Sequence, residues 1–136
     1  MVVKQIRLSQ QAKEQLSRLK GKTGIQNWNV LCRWALCLSL REITLPPDLE
    51  IPADSNVEMS WLVFGGEYHE VYEALIVQRC LDDGLDTSPE TLARQFRLHL
   101  HRGISYLSAT GFIKSITDLF DIAGKSCSEP ITEEEQ

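Results

Sequence analysis

Acidic residues are almost missing from the first 41 positions. Glu14 is the only one, against eight cations: Lys4, Arg7, Lys13, Arg18, Lys20, Lys22, Arg33 and Arg41, a balance of +7. A cysteine pairing motif is missing too. Cys32, Cys37, Cys80 and Cys127 form no CxxC pair, which suits reduced core thiols. No apolar run approaches the roughly 20 residues needed to span a bilayer. No basic-capped apolar leader opens the chain, so a soluble, cytoplasmic protein is expected. There is no internal repeat. What remains is a 136-residue chain of ordinary hydrophobic content, long enough for one self-sufficient core.

The other 95 residues carry six cations and eighteen acids, a balance of −12 that hides the basic front in the net charge of −5. A compact cationic block is a candidate polyanion surface, and nucleic acid is the commonest polyanion in a cell.

Periodicity predicts mainly helix. Val2 to Leu8 alternates, with Ile6 and Leu8 on one face and Gln5 and Arg7 on the other, as in a short strand. Ser9 caps a helix striped by Ala12, Leu16 and Leu19, which Gly21 and Gly24 end, with Lys22 in the turn. A second helix starts near Asn27 to Asn29 and is apolar almost all round, so it should be buried. Pro46-Pro47 stops continuation, and residues 46–56 read as an irregular acidic connector. Val57 to Val63 alternates like an extended segment. Glu67 to Asp82 reads as a helix with Val71, Leu75, Ile76 and Cys80 inward and Glu67, Glu70 and Glu73 outward. Ser88-Pro89-Glu90 opens another, lined by Leu92, Phe96, Leu100 and Leu107, which Gly103 ends or bends. A short helix over Phe112 to Ile122 follows. One helical domain over 1–124 is expected, split into a basic strand-helix-helix (1–41) and an acidic helical remainder (42–124). An acidic disordered tail covers 125–136.

Strand, helix, helix is the order of a ribbon-helix-helix unit. There the strand pairs with a second copy, and the paired ribbon enters the major groove. Val3, Gln5 and Arg7 would face outward. The alternative is a strand paired inside the monomer. Lys20-Gly-Lys-Thr-Gly24 lacks the GxxxxGK[ST] spacing of a nucleotide loop, although free N–H groups at the next helix start could hold a backbone phosphate. His99 and His101, two apart on a helix, do not make a metal pair and read as surface or interface residues. No clustered carboxylates or nucleophile–base pair is legible, so no catalytic residue, metal or cofactor is expected. Trp28, Trp34 and Trp61 read as core or interface anchors, with Trp28 also placed to stack on DNA.

Several stretches resemble a known family. Ile6-Arg7-Leu8-Ser9, Leu16-x-x-Leu19-Lys20, Thr23-Gly24-Ile25 and Trp28-Asn29-x-Leu31-Cys32-Arg33-Trp34-Ala35-Leu36 are similar to the N-terminal half of DndE, the small component of bacterial DNA phosphorothioation. Gly66-Glu67-Tyr68-His69-Glu70-Val71-Tyr72-Glu73-Ala74-Leu75 and His99-Leu100-His101-Arg102-Gly103 resemble its C-terminal half. The resemblance implies a helical homo-oligomer, a tetramer, that binds nicked duplex DNA through a lysine-rich surface. It implies partners too: a cysteine desulfurase, an iron–sulfur sulfur-transfer protein and an ATPase, which together replace a non-bridging phosphate oxygen with sulfur. Family lysines correspond to Lys13, Lys20 and Lys22. With the charge pattern, the expected DNA-contacting set is Lys4, Gln5, Arg7, Lys13, Arg18, Lys20, Lys22 and Arg33. A nickase of the same pathway and a ribbon-helix-helix regulator are the alternatives.

Overall fold

The structure, a computed structural model, describes residues 1–109 and 111–124. The expected tail, with Cys127, lies outside them. Along the chain run β1 (Gln5–Arg7), α1 (Gln10–Thr23), α2 (Trp28–Arg41), β2 (Glu58–Ser60), α3 (Trp61–Gly65), a 3-10 turn (Gly66–Tyr68), α4 (His69–Asp82) and α5 (Pro89–Ser108). A last helical stretch covers 116–124. The fold is mainly helical, with one small antiparallel sheet. No helix among the described residues is long and apolar enough to cross a membrane.

β1 finds its partner inside the chain. It pairs with β2 in the register Gln5↔Ser60, Ile6↔Met59, Arg7↔Glu58. Backbone bonds from Leu8 N–H to Val57 O (3.1 Å) and from Trp61 N–H to Lys4 O (3.2 Å) extend the pairing at both ends. The ribbon shared with a second copy is therefore corrected to an intramolecular ribbon. The physical reason lies in matching alternation: Ile6 and Met59 sit opposite each other and both enter the core, as do the flanking Leu8 and Val57.

α1 begins at Ser9, whose Oγ accepts the Ala12 N–H at 3.0 Å. Ala12, Leu16 and Leu19 are buried as expected. The helix does not end at Gly21. Gly21 is exposed with nothing near its Cβ position, so the helix passes through it and ends at Gly24, in the left-handed region at φ +78°. Lys22 thus stands in the last helical turn, not in a loop.

α2 and α5 form the central pair. Gly103 lies in the buried middle of α5, not at its end. A Cβ there would lie 1.7 Å from the Ala35 carbonyl oxygen of α2. The glycine lets two helix backbones meet, and Ile104 and Leu107 continue the buried stripe beyond it.

The extended segment expected over Val57 to Val63 stops at Ser60. The Ser60 Oγ accepts the Val63 N–H (3.1 Å) and starts α3, which drives Trp61 and Phe64 into the core beside Phe96. In α4, Ile76 and Cys80 are buried, but Val71 and Leu75 are 52% and 41% exposed. That correction has a simple cause. α4 is apolar on two faces, and only one packs against the rest of the fold. Of the cysteines, Cys32 and Cys80 are core and Cys37 is exposed. Burial pushes the Cys32 thiol up to about 12.

Candidate nucleic-acid interface

Arginine and lysine divide the work in this chain. Arg33 donates to Phe64 O (2.7 Å), tying α2 to α3. Arg7 donates to Ser55 O (2.8 Å) and to the Glu58 carboxylate (2.8 Å). Arg41 donates to Ile122 O (3.1 Å). Two of the cations expected on DNA, Arg7 and Arg33, are thus held by the protein's own acceptors. The acidic half follows the same rule. Arg97 binds the carbonyls of Arg7, Ile51 and Pro52, and Arg94 pairs with Asp48. Arg79 and Arg102 converge on the C-terminal end of α2, donating to the carbonyls of Leu40, Ser39 and Thr44. Cations suit that end of a helix, where carbonyls lack partners.

The lysines, with Arg18, stay outward. Lys4, Arg18 and Lys22 are exposed and make no side-chain bond or ion pair among the described residues. Lys13 bonds Asn56 Oδ1 (2.7 Å) in an exposed contact. Lys20 Nζ lies 3.4 Å from the centroid of the Trp28 ring, a cation–π contact. At roughly 100° per residue, Lys13 and Lys20 fall on one flank of α1 and Arg18 and Lys22 on the other. The buried stripe faces away from both. α1 therefore carries four of the expected contacts on its solvent side. Gln5 is exposed on β1.

One element of this surface was only half legible. Asn27 precedes α2 in extended geometry (φ −89°, ψ 123°) but makes no side-chain cap bond. The first-turn N–H groups of α2 are left without the usual side-chain acceptor, close to Lys20 through its contact with Trp28. The sequence points to free N–H groups at this helix start, and Asn27 leaves them without a side-chain cap. Trp28 itself is partly buried against the core.

His99 and His101 are buried, where a surface or interface placement was expected of them. His101 has partners on both ring nitrogens and His99 on Nδ1 alone, its buried Nε2 having none among the described residues. His101 Nδ1–H donates to Arg97 O (3.0 Å), and Nε2 accepts the Ser9 N–H (3.3 Å). Arg102 Nε donates to Ser39 Oγ (2.8 Å), which leaves that hydroxyl free to donate to His99 Nδ1 (2.9 Å). Burial holds both rings down to about 4; Arg79 and Arg102 add to the effect at His99, and Arg97 opposes His101 protonation electrostatically. Neither ring lies at the solvent surface. Among the described residues, no group of three or more His, Cys, Asp and Glu is placed to hold a metal ion.

These rings predict acid sensitivity. Between pH 6.5 and 4 the unfolded chain takes up protons on both histidines and the folded chain does not. Stability is full above about 6.5 and falls as pH drops toward 4, by on the order of 2–3 kcal/mol per ring at most. Urea midpoints at pH 7 and pH 5 measure it. Replacing His101 by Gln should flatten the dependence, and an unchanged slope would count against the assignment.

The family model for DNA sulphur modification protein DndE matches residues 5–115. The chain belongs to the DndE family. Its fold is similar to the crystal structure of DndE from Escherichia coli B7A involved in DNA phosphorothioation modification. The two share 24% identity at a TM-score of 0.66, over 79% of this chain and 98% of that one. It is also similar to a glycine-to-lysine mutant of DndE involved in DNA phosphorothioation, at 18% identity and TM-score 0.61, over 79% of this chain and 100% of that one. No curated protein sequence matches the chain. Family membership places the chain in the DNA phosphorothioation system.

Proposed function

We propose that this DndE-family chain is a DNA-binding component of the phosphorothioation machinery, without catalysis of its own, and that it holds duplex DNA, nicked duplex in preference. The observation that carries the reading is the outward set Lys13, Arg18, Lys20 and Lys22 on α1, in a chain whose arginines are otherwise turned to internal acceptors. Lys4 and Gln5 extend the surface. The open first turn of α2 beside Lys20 suits a backbone phosphate, or the end exposed at a nick. A homotetramer would join several such surfaces into one basic tract. The sulfur-transfer protein and the ATPase of the system would work on the DNA so held. A groove-reading regulator is disfavoured because β1 is already paired with β2. A nickase is disfavoured because both helical histidines lie in the core.

Binding to intact, nicked and single-stranded probes of one sequence, at two ionic strengths and with molar mass measured alongside, tests the reading. Affinity should be highest for the nicked probe and should fall steeply with salt, with a log–log slope of about −0.9 per phosphate neutralised. Salt-independent binding, or equal affinity for all three probes, would remove the proposal.

A further inference from the structure

The solvent side of α4 is the oddest surface on the molecule. With the preceding turn it exposes Tyr68 (64%), Val71, Ala74, Leu75 and Leu81, with Gln78, bonded to Asp82, set among them. Leu62 and Val63 of α3, which packs on α4, are exposed as well. Acids border this apolar strip: Glu67 and Glu70 at one end and Asp82 at the other, all exposed. Among the described residues none of these three has an ion-pair partner, while the Met1 ammonium pairs with Glu73 on another side of the helix. The only basic side chain of α4 besides His69 is Arg79, which is turned inward onto Asp83, Leu40 and Thr44. A strip this apolar is costly to leave in water and marks an interaction site.

Its charge decides between occupants. A second copy placed strip to strip would bring Glu67, Glu70 and Asp82 against their equivalents. The basic surface of α1 could answer the charge, but that helix exposes no large apolar side chain. The other exposed apolar groups are Phe112, Ile116 and Phe120, interleaved with Asp118 and Asp121 and with Lys114 and Arg41 beside them, and Ile43, Leu45 and Leu49, flanked by Glu42, Asp48 and Glu50. Among the described residues, then, no face of this chain is both strongly basic and apolar. We infer that the α3–α4 strip docks a different protein, through a helix whose apolar residues recur every three or four positions and whose flanks carry lysine or arginine. The inference extends the assembly side of the proposed function and does not depend on DNA binding.

The test places a benzophenone amino acid at Leu75 of the full-length chain, in cells carrying the complete modification system, with the same label at Lys22 as a control. Illumination should link the Leu75 position, and not Lys22, to another protein, and the linked peptide should be a basic apolar segment. The exposed changes Glu67→Lys and Glu70→Lys together should cut the adduct by about tenfold or more while gel-shift affinity for nicked DNA is not reduced. Far-UV circular dichroism confirms that the variant is folded. An adduct with a second copy of this chain, an adduct through an acidic segment, or no adduct at all overturns the inference. Loss of DNA binding with the adduct retained would instead count against the proposed function alone.

Discussion

Gly103→Ala should be among the most damaging single-methyl changes this chain can suffer. The added carbon would sit 1.7 Å from Ala35 O and 2.4 Å from Ala35 C, both backbone atoms of α2. Neither can rotate away, so the two central helices must part along their crossing. Alanine is intrinsically better than glycine in a helix by about 1 kcal/mol. The disrupted packing overwhelms that gain, and a net loss of about 3 kcal/mol or more is expected in chemical denaturation. Two companions make the cause visible. Ala35→Gly should give no rescue, because the clash is with a carbonyl and not with the Ala35 methyl. Gly21→Ala, in the open last turns of α1, should stabilise by about 1 kcal/mol at most. A neutral Gly103→Ala would mean that α2 and α5 do not touch there.

The second large effect concerns binding. Lys20→Glu with Lys22→Glu converts two cations on opposite flanks of α1 into anions. It also removes the ammonium from Trp28 and places acids at the negative end of the helix dipole. Affinity for every duplex sequence should fall together, by about tenfold or more at moderate salt, and the salt slope should shrink by about one for each phosphate no longer neutralised. Gel shifts on two unrelated sequences measure both quantities. Unchanged affinity would show that α1 does not face DNA. A decrease confined to one sequence would point to base reading instead. Both positions are at the helix surface, so a folded protein is expected, and the urea midpoint checks it.

Much of this fold was readable in advance. Capping serines at Ser9 and Ser88, the stripes of α1 and α5 and the acidic connector all follow from short-range rules, and short-range rules operate in the folded chain. The misreadings share a different cause. Gly21 and Gly103 look alike in sequence, yet one is open to water and the other sits under a neighbouring backbone. Val71 and Leu75 satisfy helical spacing as well as Ile76 and Cys80 do, and only the position of the packing partners separates inner from outer face. β1 has the form of a strand, but its mate is 50-odd residues away and no local signal names it. At the candidate interface the number of cations was legible and their partners were not. Composition counts Arg33 and Lys22 as equals, whereas one holds a carbonyl of α3 and the other faces solvent. The histidines were misplaced for the same reason: the groups that allow their burial, Ser39 and the Ser9 N–H, lie 60 and 92 residues away.

Seven of the eight arginines are engaged with the protein's own carbonyls and carboxylates, and Arg18 alone has no such partner among the described residues. The interior scaffold is therefore built from guanidinium forks, and the outward charge of the front end from amines and the single guanidinium of Arg18. The two chemistries can be addressed separately. Acylation of amines, by a reagent or an acetyltransferase, would strip charge from α1 and leave the clamps across the helix ends standing. The molecule's attraction to polyanions is in that sense detachable from its architecture.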